Sequence, residues 1–228
     1  MTKGSDIPCV LVLGGLDPSG GAGLLADAQA IRAAGARPLC VATALTVQTT
    51  RRVRRFEPCN PQIVADSVKV LLEEENVRAI KIGMIGAAEV AQALRLPDDL
   101  PRVVDPVLRA SSGAPLLLGS ADLYVQLAQG ALITPNLPEA ALLPPDLLAR
   151  GCAAVLLKGG HGKGETVVDT LSTATFVEEL RAPRIDAQKR GTGCRLASFA
   201  AARIALGHPL REAVVAARTY VRAYLAEP

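Results

Sequence analysis

Cys9-Val10-Leu11-Val12-Leu13-Gly14-Gly15-Leu16-Asp17-Pro18-Ser19-Gly20-Gly21-Ala22-Gly23 is the stretch whose reading decides the fold. Its apolar opening, Cys9 to Leu13, has the pattern of a parallel strand buried on both faces. The glycine-rich loop that follows opens a helix, with Leu24, Leu25, Ala28 and Ile31 as its apolar stripe and Gly35 placed to end it. Outward from this βα unit the same alternation repeats. Strands are expected over residues 39–45, 78–82, 102–104, 131–133 and 153–157. Asn60 and Pro61 suit the N-cap and N1 positions of a helix carrying Ile63, Val64, Val68, Leu71 and Leu72. Further helices fit 87–94 and 121–129, with one or two short ones between 137 and 150. Residues 166–171 and 174–180 read as a hairpin or edge strands joined by Ser172-Thr173, and helices over 194–206 and 210–225 close the chain. The expected class is α/β: one mostly parallel central sheet flanked by helices on both faces, with a small β flap, in a single domain over 1–228.

Composition narrows the function. At 228 residues, half of them hydrophobic, the chain can bury a substantial core. A net charge of +3 is too small to argue for nucleic acid or a membrane surface, so a small-molecule partner is expected. Residues 1–7 are polar and no apolar stretch is long enough to span a bilayer, which reads as cytoplasmic. Cys9, Cys40, Cys59, Cys152 and Cys194 are odd in number and lack C-x-x-C spacing, which argues against a disulfide framework and a structural zinc site.

Each expected parallel strand ends in a polar or glycine-rich signature: Gly14-Gly15, Thr46 to Gln48, Gly83-Met84, Asp105, Asn136 and Lys158. Ligands of open α/β sheets bind outside the carboxyl ends of the strands. Gly191-Thr192-Gly193-Cys194 adds an anion hole, since two glycines let backbone N–H groups gather at the mouth of the next helix. The dipole there favours a thiolate, which makes Cys194 a base or nucleophile near neutral pH; the competing reading is a buried core cysteine. Asp27 either points into the space the first loop surrounds or is an exposed helix charge. Arg51, Arg52, Arg54 and Arg55 read equally as a flap that meets anions and as a solvated face. Neither the dinucleotide glycine register nor the Walker pattern is present. The parts suit phosphoryl transfer: Asp105 and Glu139 as hard ligands for Mg²⁺, Lys158 as a point charge for a phosphate, Gly191, Thr192 and Gly193 as N–H donors and Cys194 as the base.

Residues 14–23, Thr43-Ala44-Leu45-Thr46-Val47-Gln48, Lys81-Ile82-Gly83-Met84, Asp105-Pro106-Val107, Thr134-Pro135-Asn136-Leu137-Pro138-Glu139, Lys158-Gly159-Gly160-His161 and Gly191 to Cys194, in this order, resemble the hydroxymethylpyrimidine/phosphomethylpyrimidine kinases of thiamine biosynthesis, members of the ribokinase-like superfamily. The resemblance implies ATP- and Mg²⁺-dependent phosphorylation of 4-amino-5-hydroxymethyl-2-methylpyrimidine and then of its monophosphate. It implies a pyrimidine pocket of Gly15, Asp27, Gln48 and Met84, with Asn136 and Glu139 organising Mg²⁺ and phosphate alongside Asp105. Lys158 would lie on the nucleotide side, Cys194 would be the catalytic cysteine, and the protein would be a homodimer. Arg190 stands where the family commonly has histidine, and is expected as a second phosphate-facing cation; the segment between Glu139 and Lys158 is short for the family. Two other functions fit parts of the pattern: a pyridoxine or pyridoxal kinase, and a sensor that binds the pyrimidine without transferring phosphate.

Overall fold

Strand β1 (Cys9–Leu16) is buried through Gly15, because strands lie on both its edges and helices on both its faces. The computed structural model describes residues 7–110 and 113–227, so residues 1–6 of the polar start lie outside the described residues. After β1 the chain runs α1 (Gly23–Ala33), β2 (Arg37–Gln48), β3 (Val53–Pro58), α2 (Pro61–Glu74), β4 (Val77–Ile82), β5 (Gly86–Ala87), α3 (Ala88–Ala93) and β6 (Arg102–Val104). It continues through β7 (Leu117–Leu118), α4 (Asp122–Leu127), β8 (Leu132–Ile133), α5 (Leu137–Ala140), β9 (Ala154–Leu157), β10 (Thr166–Thr173), β11 (Val177–Pro183), α6 (Thr192–Ala205) and α7 (Leu210–Ala226).

The main sheet has the order β11-β10-β9-β8-β6-β4-β1-β2-β3. Its middle, from β9 to β2, is parallel, while β3, β10 and β11 pair antiparallel. Helices α1, α6 and α7 cover one face, where Leu24, Ile31, Ala197, Ala201, Val214 and Val221 meet Val10, Val12 and Val103. The other face carries Val64 and Val68 of α2, Val90 of α3 and Tyr124 of α4 against Leu11, Leu13, Ile80 and Ile82. From β1 the chain moves outward to β2 on one side and to β4 on the other, so the order of winding reverses between β1 and β4. Such a reversal leaves a crevice at the carboxyl ends of the two strands.

Two differences from expectation have local causes. Strand β3 makes residues 53–58 an edge strand, and Arg51, Arg52, Arg54 and Arg55 are exposed, as both a flap and a solvated face require; charges on an edge strand discourage pairing with other chains. The β10–β11 turn lies at 174–176 rather than at Ser172-Thr173, because Thr173 Oγ1 accepts the N–H groups of Thr175 and Phe176 and caps the turn itself. Between 137 and 150 one short helix forms, α5, a single turn, within the expected one or two.

One buried side chain locks two of the strand-end loops. Tyr124 of α4 donates its hydroxyl within 3.0 Å of the Gly83 carbonyl and 3.2 Å of the Val107 carbonyl, and accepts the Ile85 N–H at 3.3 Å. Tyr124→Phe leaves those buried backbone groups without their partner, a loss of about 1–3 kcal/mol. Urea denaturation checks it: a midpoint unchanged from wild type would mean the loops are held by other contacts.

Candidate active site

The floor of the site is built where β1 meets β4. The β1–β2 register slips between Gly14 and Gly15, and a side chain on Gly15 would press into the Met84 sulfur, so the glycine lets the two strand ends close on each other. Thr43 Oγ1 donates to the Met84 carbonyl and Thr46 Oγ1 to the Leu16 carbonyl at 2.8 Å, which ties β2 to both. The expected pocket residues Gly15, Asp27, Gln48 and Met84, the charged Asp105, Glu139 and Lys158, Asn136, and the stretch Arg190 to Cys194 all line one cleft of about 1010 Å³ over this floor, whereas Arg51, Arg52, Arg54 and Arg55 do not.

Beneath the cleft lies an ion pair that sequence reasoning missed. Lys81 sits in register between Val12 of β1 and Val103 of β6, positions that face α1 and α6. Its Nζ is 2.9 Å from Asp27 Oδ1, and Ser198 of α6 donates to the same oxygen at 2.7 Å. Lys81 is 1% exposed and Asp27 0%, so Asp27 is no exposed helix charge. Burial pushes the Asp27 carboxyl up, and Lys81 and Ser198 pull it back. Burial also works against the Lys81 charge, but Asp27, Cys194 and Asp105 outweigh it and hold the ammonium above its ordinary range. Asp27 Oδ2 is enclosed and has no hydrogen-bond partner among the described residues. The available signal for Lys81 was a lysine near the end of the strand Val77-Arg78-Ala79-Ile80-Lys81-Ile82, whose other charge, Arg78, stands near its start.

Further along the sheet ends the charged groups meet. Lys158 Nζ lies 2.8 Å from Asp105 Oδ1 and 4.0 Å from Glu139 Oε2, and Thr134 Oγ1 supports Asp105 at 3.2 Å. Burial opposes ionisation of Asp105, yet Lys158 and Lys81 hold its carboxyl below the usual range. Glu139 is pushed up to about 7, first by burial and then by the Asp105 charge, with Lys158 opposing. Asn136 caps α5: its Oδ1 accepts the Glu139 N–H while Glu139 Oε2 accepts the Asn136 N–H, both at 2.8 Å. This reciprocal cap fixes the Glu139 carboxylate beside Lys158.

The N-terminus of α6 faces that cluster. Gly191 takes the left-handed conformation (φ 71°) as N-cap, and a side chain on Gly193 would come within 3.1 Å of Lys158 Nζ and 3.6 Å of Asp105 Oδ2. The first-turn N–H groups of a helix have no partner within it, so residues 192–194 present donors to an anion here. The thiolate expected at this helix mouth is not its resting form. Burial pushes the Cys194 thiol up to about 11, helped by Asp27 and Asp105, and the opposing pull of Lys81 and of the Gly23 N–H does not reverse it.

Arg190 departs from its expected role too. Rather than facing a phosphate, its guanidinium donates to Gln48 Oε1 at 2.8 Å and the Thr49 carbonyl at 2.9 Å, and lies 3.4 Å from Ser19 Oγ and from Asp17 Oδ2. Asp17, 2% exposed, also accepts the N–H groups of Ser19 and Ala22 and so shapes the first glycine loop.

Comparison with known proteins places these features among related chains. A family model described as phosphomethylpyrimidine kinase matches residues 17–228. The chain is 38% identical to the hydroxymethylpyrimidine/phosphomethylpyrimidine kinase of Rhizobium meliloti over 93% of its own length and 88% of the relative's. A crystal structure of phosphomethylpyrimidine kinase from Clostridium difficile superposes with a TM-score of 0.79 at 31% identity, covering 96% of this chain and 99% of that one. The pyridoxal kinase of Staphylococcus aureus in complex with AMP-PCP superposes with a TM-score of 0.83 at 22% identity, covering 97% and 89%, a likeness of fold.

Removing one partner of a buried ion pair leaves the other charge stranded. Lys81→Met is expected to cost about 3–5 kcal/mol of unfolding free energy, and Lys81→Met with Asp27→Leu to recover most of it. Urea denaturation of the three proteins reads this directly, and equal losses in the single and double variants would count against a paired charge.

Proposed function

The chain belongs to the phosphomethylpyrimidine kinase family and is a phosphotransferase, and from that membership we propose that it transfers the γ-phosphoryl group of ATP to the hydroxymethyl oxygen of 4-amino-5-hydroxymethyl-2-methylpyrimidine, and then a second phosphoryl group to the monophosphate, in thiamine biosynthesis. The observation that carries the reading is the α6 N-terminus aimed at Asp105 and Lys158 beside the Gly15–Met84 floor, which puts phosphate donors and a ring pocket in one cleft. The pyrimidine ring lies against Met84 and Gly15 with its polar edge toward Gln48, above the buried Asp27. Asn136 and Lys158 hold the nucleotide phosphates. The pyridoxal kinase likeness extends to the fold.

The donor set fits Mg²⁺. No donor among the described residues reaches Asp105 Oδ2, and no three His, Cys, Asp or Glu side chains among them form a metal cage. Two carboxylates, Asp105 and Glu139, suit an ion that keeps waters and takes its remaining ligands from phosphates. When bound, the ion would neutralise charge on the transferring phosphates.

The chain's own groups do the rest. Gly191, Thr192, Gly193 and Cys194 contribute backbone N–H groups to the charge on the transferring group. Cys194 ionises first, its thiolate held by Lys81 and the Gly23 N–H. It then takes the hydroxyl proton as the oxygen bonds to phosphorus and the bond to the leaving diphosphate breaks. A base of high pKa is scarce at neutral pH but strong once formed. The proposal extends to one kinase domain acting in the cytoplasm as a homodimer. No described helix is long and apolar enough to cross a membrane, and exposed Leu45 and Val47 on β2 offer an apolar patch to a second copy.

A coupled assay with the pyrimidine and pyridoxal in competition tests the substrate, and preference for pyridoxal would refute it. Binding of the pyrimidine without turnover by ATP and Mg²⁺ would favour the sensor instead. If Cys194 must ionise, kcat rises with pH between 7 and 9, since a thiol raised to about 11 gains roughly tenfold in thiolate per pH unit. Cys194→Ser should lower kcat by about 100-fold and flatten that profile. A flat wild-type profile would reduce Cys194 to a wall of the anion hole.

A further inference from the structure

Arg190 connects three segments far apart in the chain. Its guanidinium reaches Asp17 and Ser19 in the first glycine loop and Gln48 and Thr49 at the end of β2, while its own backbone leads into Gly191. Tyr224 of α7 donates its hydroxyl to the Arg190 carbonyl at 3.2 Å, so the residue is held from behind as well.

The bond to Gln48 settles which way that carboxamide points. A guanidinium has donors only, so the atom facing it at 2.8 Å must be the Gln48 oxygen. At the other end Gln48 Nε2 lies 2.7 Å from Thr46 Oγ1, whose own proton is committed to the Leu16 carbonyl, so Thr46 accepts there. The chain Gln48 Nε2 to Thr46 Oγ1 to Leu16 O therefore runs one way only. Gln48 is left with one lone pair on its oxygen and one N–H on its nitrogen, with the two atoms in a fixed order. An aminopyrimidine edge carries the complement, an amine N–H beside a ring nitrogen acceptor.

The geometry points to Arg190 as a positioning residue for pyrimidine recognition, a clamp that holds the Gln48 carboxamide in the one orientation that matches an aminopyrimidine edge. This rests on the pyrimidine kinase reading above. Without the clamp the carboxamide turns over, the end of β2 loses its tie to the first glycine loop, and the ligand must order a side chain rich in rotamers.

Calorimetry of 4-amino-5-hydroxymethyl-2-methylpyrimidine binding, without nucleotide, tests it. Arg190→Ala should raise Kd about tenfold, and the loss should fall in KM rather than kcat. In the Gln48→Ala background the same substitution should have almost no further effect, because the clamp acts through Gln48. Arg190→Lys should fail to rescue, since an ammonium has no planar fork with which to span Gln48 and Asp17. An undiminished tenfold loss in the Gln48→Ala background, full rescue by lysine, or an unchanged Kd in Arg190→Ala would each overturn the inference. Thr46→Val opens the other end of the clamp and replaces Arg190→Ala in the cycle should that variant not fold; it should raise Kd similarly, and an unchanged Kd would again overturn the clamp. Turnover is measured separately. A wild type that binds without turnover refutes the kinase reading and leaves the binding cycle to decide the clamp, an additive cycle in an active enzyme refutes the clamp alone, and no binding by wild type refutes both.

Discussion

The Lys81–Asp27 ion pair joins the inner strand β4, helix α1 and, through Ser198, helix α6 at one buried point. Burying two charges gains little over a well-packed apolar pair of similar volume, so stability alone does not account for it. What an apolar pair would not supply is a fixed positive charge under Cys194. Lys81 is the principal group that offsets the burial of that thiol. Cys194 and Ser198 are one helical turn apart, so the helix that carries the thiol is indexed to the ion pair by its own neighbour.

Around that point two glycine loops from opposite ends of the chain fit into each other. A side chain on Gly191 would strike the Gly21 carbonyl, and one on Gly23 would strike the Gly15 carbonyl. The close approach is fastened by Arg195, which donates to the Gly21 carbonyl at 3.2 Å and to Gln29 at 2.7 Å while stacking over Tyr224. The N-terminus of α6 is thereby aimed along the ends of β4 and β6, and the anion hole is inseparable from the pocket floor.

The same arrangement divides the cleft by charge. One end holds Asp105, Glu139 and Lys158, with α5 capped so that Glu139 stays beside the lysine. At the other end sit Gly15 and Met84, with Gln48 turned by Arg190. Cys194 stands between the two, as a group that meets both an alcohol and a phosphate must.

The sequence by itself determined what depends on neighbours along the chain. The apolar run of β1, the glycine loop before α1, the cap at Asn60, the polar strand ends and the Gly191–Cys194 helix mouth are all local patterns of period, turn chemistry and hydrogen-bond supply. Parallel strands in one sheet bring their carboxyl ends to one side, so the gathering of Asp105, Asn136 and Lys158 was also legible. Tertiary structure alone decided the pairings of Lys81 with Asp27, Ser198 with Asp27 and Arg190 with Gln48, whose members lie 54, 171 and 142 residues apart. It also set the resting ionisation of Cys194, because a helix dipole is a property of the segment whereas burial belongs to everything packed around it. Arg190 changed role for the same reason: its charge can be read from one letter, but the acceptors that consume it are chosen by which loops the fold brings within reach.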